Sequence, residues 1–171
     1  LPSFGVVASI SSVANEQMRY CERAGYAMVK VPVARIMTGT ARPEDYRDMA
    51  VEYLKSGRDT ILLTDTAYDR ELIELSQEVG EKSGMDLTEV GDYVRSLIGR
   101  MAKEVLDSAA VSGVYLTGGD TALGMLMNIG ADGSEILAEI LVGVPLVRVK
   151  GGAYEGLKLV TKAGAFGTED A

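Results

Sequence analysis

The apolar positions of this chain switch repeatedly between a strand-like and a helix-like period. Phe4 to Ser9 forms a short β-type run, after which Ala14, Met18 and Cys21 recur at helical spacing, with Ser12 as the expected N-cap and Gly25 as the stop. Tyr26 to Val33 reads as a second strand. A loop through Gly39 leads to a helix opened by Pro43, whose fixed φ suits a first helical turn; Tyr46, Met49, Ala50 and Tyr53 share one face and Gly57 follows. Thr60 to Thr64 is a third strand and Tyr68 to Lys82 a further helix. Asp86 and Glu89 form a capping pair for a long helix reaching about Ala109, in which Leu87, Val90, Val94, Leu97, Met101 and Val105 keep a helical period. Gly113 to Thr117 is a buried fourth strand, Gly118 and Gly119 a turn, and Asp120 to Ile129 a helix ended by Gly130.

From Glu135 onward the helical period stops. Three short β-rich runs remain, Glu135 to Val142, Pro145 to Lys150 and Leu157 to Lys162, separated by glycines. The whole pattern predicts an α/β fold: a doubly wound, mostly parallel sheet flanked by helices, with a β-rich C-terminal extension that adds edge strands or a small antiparallel sheet. Nothing resembling a linker, low-complexity segment or internal repeat divides residues 1–171, so one domain is expected.

Composition narrows the chemistry. The 171 residues hold 25 acidic and 17 basic side chains, a net charge of −8, one cysteine and no histidine. A chain this long buries roughly 70% of the surface it exposes when unfolded, so it needs no disulfide or structural metal. Without histidine it cannot build a His-containing zinc site, a Ser-His-Asp triad or an imidazole proton shuttle. The acidic field, with no basic run to interrupt it, disfavours nucleic acid. No apolar stretch is long enough to span a membrane and the N-terminus lacks the basic start of a signal peptide, so a cytoplasmic location is expected. The sequence opens at Leu1 without an initiator Met, which reads as a segment of a longer chain.

In open α/β sheets ligands bind at the carboxyl ends of strands, so the turns that leave strands are the places to look. Thr117-Gly118-Gly119-Asp120-Thr121 is the richest. Its glycines allow close backbone approach, the following helix offers free N–H groups and a positive dipole end to a phosphate, and Asp120 caps the helix or faces Mg²⁺. A tight turn with an Asp N-cap explains the same residues equally well. The first turn, Ala8-Ser9-Ile10-Ser11-Ser12, places three hydroxyls at a strand end, although serines cap helices without any ligand. Lys162-Ala163-Gly164-Ala165-Phe166-Gly167 sets one positive charge beside a glycine-spaced loop, and its spacing matches neither a P-loop nor the dinucleotide fingerprint. Asp65, Asp69 and Glu71 read as dipole partners of a helix start rather than cation ligands, and Met125 and Met127 as core residues.

Taken in order, these motifs resemble the C-terminal nucleotide-binding domain of the four-carbon acid sugar kinases. Ala8-Ser9-Ile10-Ser11 before Gln17 is similar to that family's Gly-Ser-x-Ser turn and helix glutamine. Gly118 to Thr121 matches its Gly-Gly-Asp/Glu-Thr, Val142-Gly143-Val144-Pro145 its Pro-Gly-x-Pro element, and Lys162 to Gly167 its closing Lys-Ser-Gly-x-Phe-Gly. The resemblance implies an ATP-binding domain, with Mg²⁺, of a kinase acting on threonate-like or erythronate-like sugar acids. Ser9, Ser11, Gly118, Gly119, Asp120, Thr121, Lys162 and Gly164 would form the nucleotide site. The catalytic residues and the sugar acid would belong to an N-terminal domain outside these residues, and a homo-oligomer is compatible with the family. Ala8, Ala163 and Ala165 depart from the pattern, which keeps open a non-catalytic or regulatory domain for another phosphorylated small molecule.

Overall fold

The structure, a computed structural model, describes residues 1–119 and 121–171. A single seven-stranded sheet runs through it, formed by β1 (Ser3–Val7), β2 (Ala27–Val31), β3 (Thr60–Thr64), β4 (Gly113–Thr117), β5 (Gly133–Leu141), β6 (Val144–Lys150) and β7 (Lys158–Lys162) in the order β2-β3-β1-β4-β7-β6-β5. The first five strands of that order are parallel. β6 and β5 continue it antiparallel, so the β-rich extension completes the main sheet instead of forming one of its own.

Among the described residues seven helices connect or cover the strands: α1 (Ser12–Arg23), α2 (Val33–Met37), α3 (Pro43–Lys55), α4 (Asp65–Tyr68), α5 (Glu71–Lys82), α6 (Leu87–Ser108) and α7 (Gly119–Asn128). Side-chain alternation divides each central strand between two cores, as burial on both faces requires. Phe4, Val6, Leu62, Val114 and Leu116 face α3, α6 and α7 through Leu54, Ile98, Met101, Val105 and Met125. Val7, Ile61 and Leu63 face Met18 of α1 and Ala67 of α4. Among the described residues no helix is long and apolar enough to cross a membrane.

Several boundaries differ from the sequence reading, each for a local reason. Ser11, not Ser12, caps α1: its backbone is extended and its Oγ accepts from Ala14 N at 3.0 Å. The second strand stops at Val31 because Pro32 cannot donate to the ladder, and the chain turns into α2. The expected helix from Tyr68 is two helices, broken at Asp69, whose extended backbone ends α4 while its Oδ1 accepts from Glu71 N at 3.1 Å. Asp65 serves a neighbour, accepting from Val33 N at 3.2 Å at the start of α2. In α7 Met125 is buried, but Met127 is 72% exposed, because a two-residue step turns a helix by roughly 200°.

Helix α6 decides where a ligand can sit. Its 22 residues span about 33 Å, whereas the five-residue strands beneath it reach about 17 Å. The C-terminal half, from Leu97, is packed on the sheet, and the surplus first turns stand beyond the carboxyl ends of the strands. The Asp86 and Glu89 capping box secures that overhanging end, with Glu89 N donating to Asp86 Oδ1 at 2.8 Å and Asp86 N to Glu89 Oε2 at 2.9 Å. Helix α5 packs against it at Gly80, where an added Cβ would stand 2.2 Å from Val90 Cγ2. Gly80→Ala therefore sets a helix-propensity gain of about 1 kcal/mol against an overpacking cost of about 1–3 kcal/mol. A lower unfolding free energy in urea is the expected result, and an increase would mean that α5 and α6 are not locked at this contact.

Candidate functional site

Three strands end on one line. Val7 pairs with Thr117 and Thr117 with Lys162, so the turns that follow β1, β4 and β7 emerge side by side. Gly118 N donates to Lys162 O at 2.9 Å, carrying the alignment one residue further.

Above this line lies a cleft of about 360 Å³, at the lower end of the ~300–1,000 Å³ typical of small-molecule sites. Ala8, Ser9 and Ile10 form its floor beside Gly118, Gly119 and Thr121, while Thr66, Ile73, Ser76 and Gln77 on one side and Leu87, Val90, Gly91, Val94 and Arg95 on the other form its walls. Ser9, Gly118, Gly119 and Thr121, named from the sequence, are thus brought together. Asp120 falls outside the described residues. Gly118 adopts φ 103°, and a Cβ there would meet Thr121 Oγ1 at 3.2 Å, so glycine is needed for the turn. Gly119 is different: its backbone is ordinary and a Cβ would meet nothing within 4 Å, leaving open space above the start of α7.

Ser11 and Gly164 hold the site together from beneath. Ser11 Oγ donates to Gly164 O at 2.6 Å while accepting from Ala14 N, and Ser9 Oγ donates to Ser11 Oγ at 3.3 Å. With both lone pairs and its proton engaged, Ser11 is an architectural group. Gly164 packs so closely that a Cβ would lie 2.0 Å from Ser9 Oγ; any side chain there would displace the Ser9 hydroxyl from the cleft floor.

Lys162 points elsewhere. It is 2% exposed, its ammonium donates to Ala163 O at 3.0 Å and Phe166 O at 2.8 Å, and it does not line the cleft. Burial lowers its pKa from the usual lysine value. Gln17, also buried, donates through Nε2 to the same Phe166 O at 3.1 Å and to Thr168 O at 2.8 Å. These two side chains fold residues 163–168 onto α1. The Phe166 ring reaches the β5–β6 turn, where a Cβ on Gly143 would sit 3.0 Å from it. The four spaced motifs of the sequence are therefore one connected structure.

The cleft walls contributed by α5 and α6 were not among the sequence candidates. Val90 and Val94 read there only as positions of a helical period and Ile73 had no reading beyond its helix; only the excess length of α6 over the strands hints that they line a cavity. Among the described residues no group of three or more acidic or thiol side chains is arranged to hold a metal ion.

Known proteins place this arrangement. A family model described as a nucleotide-binding C-terminal domain matches residues 4–171. The chain is 30% identical over 173 residues to D-threonate kinase of Salmonella typhimurium, covering 99% of this chain and 40% of that protein. It is 23% identical over 176 residues to D-erythronate kinase of Heliobacterium modesticaldum, covering 97% of this chain and 39% of that protein. A crystal structure from Bordetella bronchiseptica, described as a domain of unknown function with bound citrate in a domain-swapped dimer, has a TM-score of 0.74 at 28% identity, covering 99% of this chain and 38% of that one. The chain spans about two fifths of the length of the curated relatives it matches. It belongs to the family of nucleotide-binding C-terminal domains found in the four-carbon acid sugar kinases.

Proposed function

We propose that the cleft binds the polyphosphate of ATP and that these residues are the nucleotide-holding part of a kinase for a four-carbon sugar acid such as threonate or erythronate. The observation that carries this reading is the open space above Gly119 at the N-terminus of α7, beside the Gly118 turn, Thr121 and Ser9. Free N–H groups and a positive dipole end suit phosphate oxygens. Phosphoryl transfer depends mainly on positioning and charge neutralisation, which such a turn supplies without histidine. Magnesium would enter largely coordinated by the phosphates and water, as that cation usually is. The relatives named as threonate and erythronate kinases support the substrate class. Their greater length supports a sugar-acid site and catalytic residues in the part this chain does not cover. The exposed edge strand β5, with Ile136 73% exposed, and the domain-swapped dimer of the Bordetella protein support a homo-oligomer.

At a hundredfold excess over Kd, Mg-ATP stabilises by about 2.7 kcal/mol, a rise in melting temperature of about 5–10 °C for a domain of this size. Gly119→Asp fits its backbone and has room for a side chain, so it is expected to fold as the parent does and to lose the rise through charge repulsion. An equal rise in the variant would overturn the phosphate placement. The 171 residues alone are expected to turn over no threonate, with activity restored when the remainder of the protein is supplied; turnover by the isolated domain would refute the division of labour.

In this reading Lys162 supports nucleotide binding through the loop that carries Gly164. Lys162→Met removes two charge-assisted hydrogen bonds, each worth about 1.5–3 kcal/mol before the relief of burying an ammonium is counted. Faster amide exchange over residues 163–168 without nucleotide is the expected outcome. A lysine acting only on bound phosphate would leave that exchange unchanged.

A further inference from the structure

The two faces of the sheet are not equally covered. Toward α3, α6 and α7 the strands β4, β7 and β6 bury Val114, Leu159 and Val147. On the opposite face Gly5, Tyr115, Val160 and Leu146 lie side by side in register, and Tyr115, Val160 and Leu146 are only partly buried. Strands of a parallel sheet are ordinarily covered on both faces. Here the row from Gly5 to Val160 is the floor of a hollow of about 310 Å³, separate from the cleft, with Met18 and Cys21 of α1 on one side and Leu141 and Val144 of the β5–β6 hairpin on the other.

Beside this hollow the hairpin ends in apolar side chains that the fold does not use. Leu141 pairs with Val144, so Val142 and Gly143 form a two-residue turn, and Gly143 supplies its positive φ of 75°. Such turns ordinarily carry Asn, Asp or Gly. Val142 is instead 91% exposed, and it follows Ile140 and Leu141, each about half exposed. Three consecutive apolar side chains facing water are a liability to a soluble domain unless they serve a contact.

A projection and a hollow side by side on one molecule are what a two-fold contact between identical copies requires, since each copy then offers both. No ionisable side chain lies between Ile140 and Pro145, so the tip brings no like charge to Glu169 and Asp170 at the mouth of the hollow, as an acidic segment would. We propose that two copies of this chain associate through these hairpins, with the Val142 tip of each seated in the hollow between α1 and the hairpin of the other. This contact rests on the homo-oligomer reading above and places it at the hairpin tip rather than along the open edge of β5. It also bears on the cleft. Gly143 adjoins the Phe166 ring, and Lys162 and Gln17 hold Phe166 O in the loop whose Gly164 meets Ser11. A docked tip therefore braces the loop that supports the cleft floor.

Sedimentation equilibrium over a concentration series tests the contact, with the parent expected to dimerise reversibly. Val142→Asp puts a residue that suits the turn but carries a charge at the tip. It is expected to raise the dimer dissociation constant at least tenfold, as loss of one buried aliphatic side chain does, and to leave the melting temperature of the dilute monomer unchanged because the position is exposed. Val142→Ile is expected to keep the dimer. In the parent, amide exchange over residues 163–168 is expected to slow as the dimer forms, and in Val142→Asp to stay at the monomer rate. A dimer that Val142→Asp leaves intact, whether or not Ile136→Lys on the β5 edge disrupts it, would overturn the tip contact while leaving the homo-oligomer standing. A parent that sediments as a monomer at every soluble concentration would overturn the homo-oligomer reading and this contact together.

Discussion

The parallel register that aligns Val7, Thr117 and Lys162 is the constraint from which the site follows. Each of the three strands ends at that row, and each following turn has one direction in which to leave. Because β1 lies between β3 and β4, the segment after β1 departs toward one side of the sheet while the segment after β4 departs toward the other. This reversal opens the crevice in which α/β proteins commonly receive ligands. A shift of one residue between β1 and β4 would exchange the two cores and carry the Gly118 turn away from Ser9.

Two kinds of side chain then share the work. Ser11, Gln17 and Lys162 donate to backbone carbonyls of the C-terminal loop, while Ser9 and Thr121 line the cleft, with Ser9 donating to Ser11 Oγ. Residue type does not separate the classes; serine appears in both. What separates them is position: the first set reaches the loop after β7, the second lines the cleft. A lysine in so acidic a chain is readily read as an anion ligand, yet here its ammonium donates to two carbonyls in a buried place, where a loose phosphate-binding arm would have been solvated.

The layered α/β architecture was legible because both signals are strong: Thr60 to Thr64 is an unbroken buried run, as in a sheet covered on both faces, and α6 keeps one apolar stripe over its packed length. Gly118, Gly119 and Thr121 could be named as candidates because a glycine pair leaving a strand allows close backbone approach, although a tight turn alone explained them equally well. The order of strands was not, since nothing local tells β7 to enter beside β4 before β6 and β5. Nor were α2 and α4, each too short to show a period. The α5 and α6 walls stayed hidden for a different reason. An aliphatic residue over a cavity and one over a core look alike in sequence, and only the lengths of helix and strand in three dimensions distinguish them.

The bond from Ser11 to Gly164 joins residues 153 positions apart. Ribosomes add about 5–20 residues per second, so roughly 8–30 s separate the emergence of its two ends. Throughout that interval the Ser9 turn exists without the backbone that seats it, and the cleft floor is unfinished. The cleft floor is therefore completed late in the life of each chain, only once β7 has paired beside β4 and the loop after it has reached Ser11.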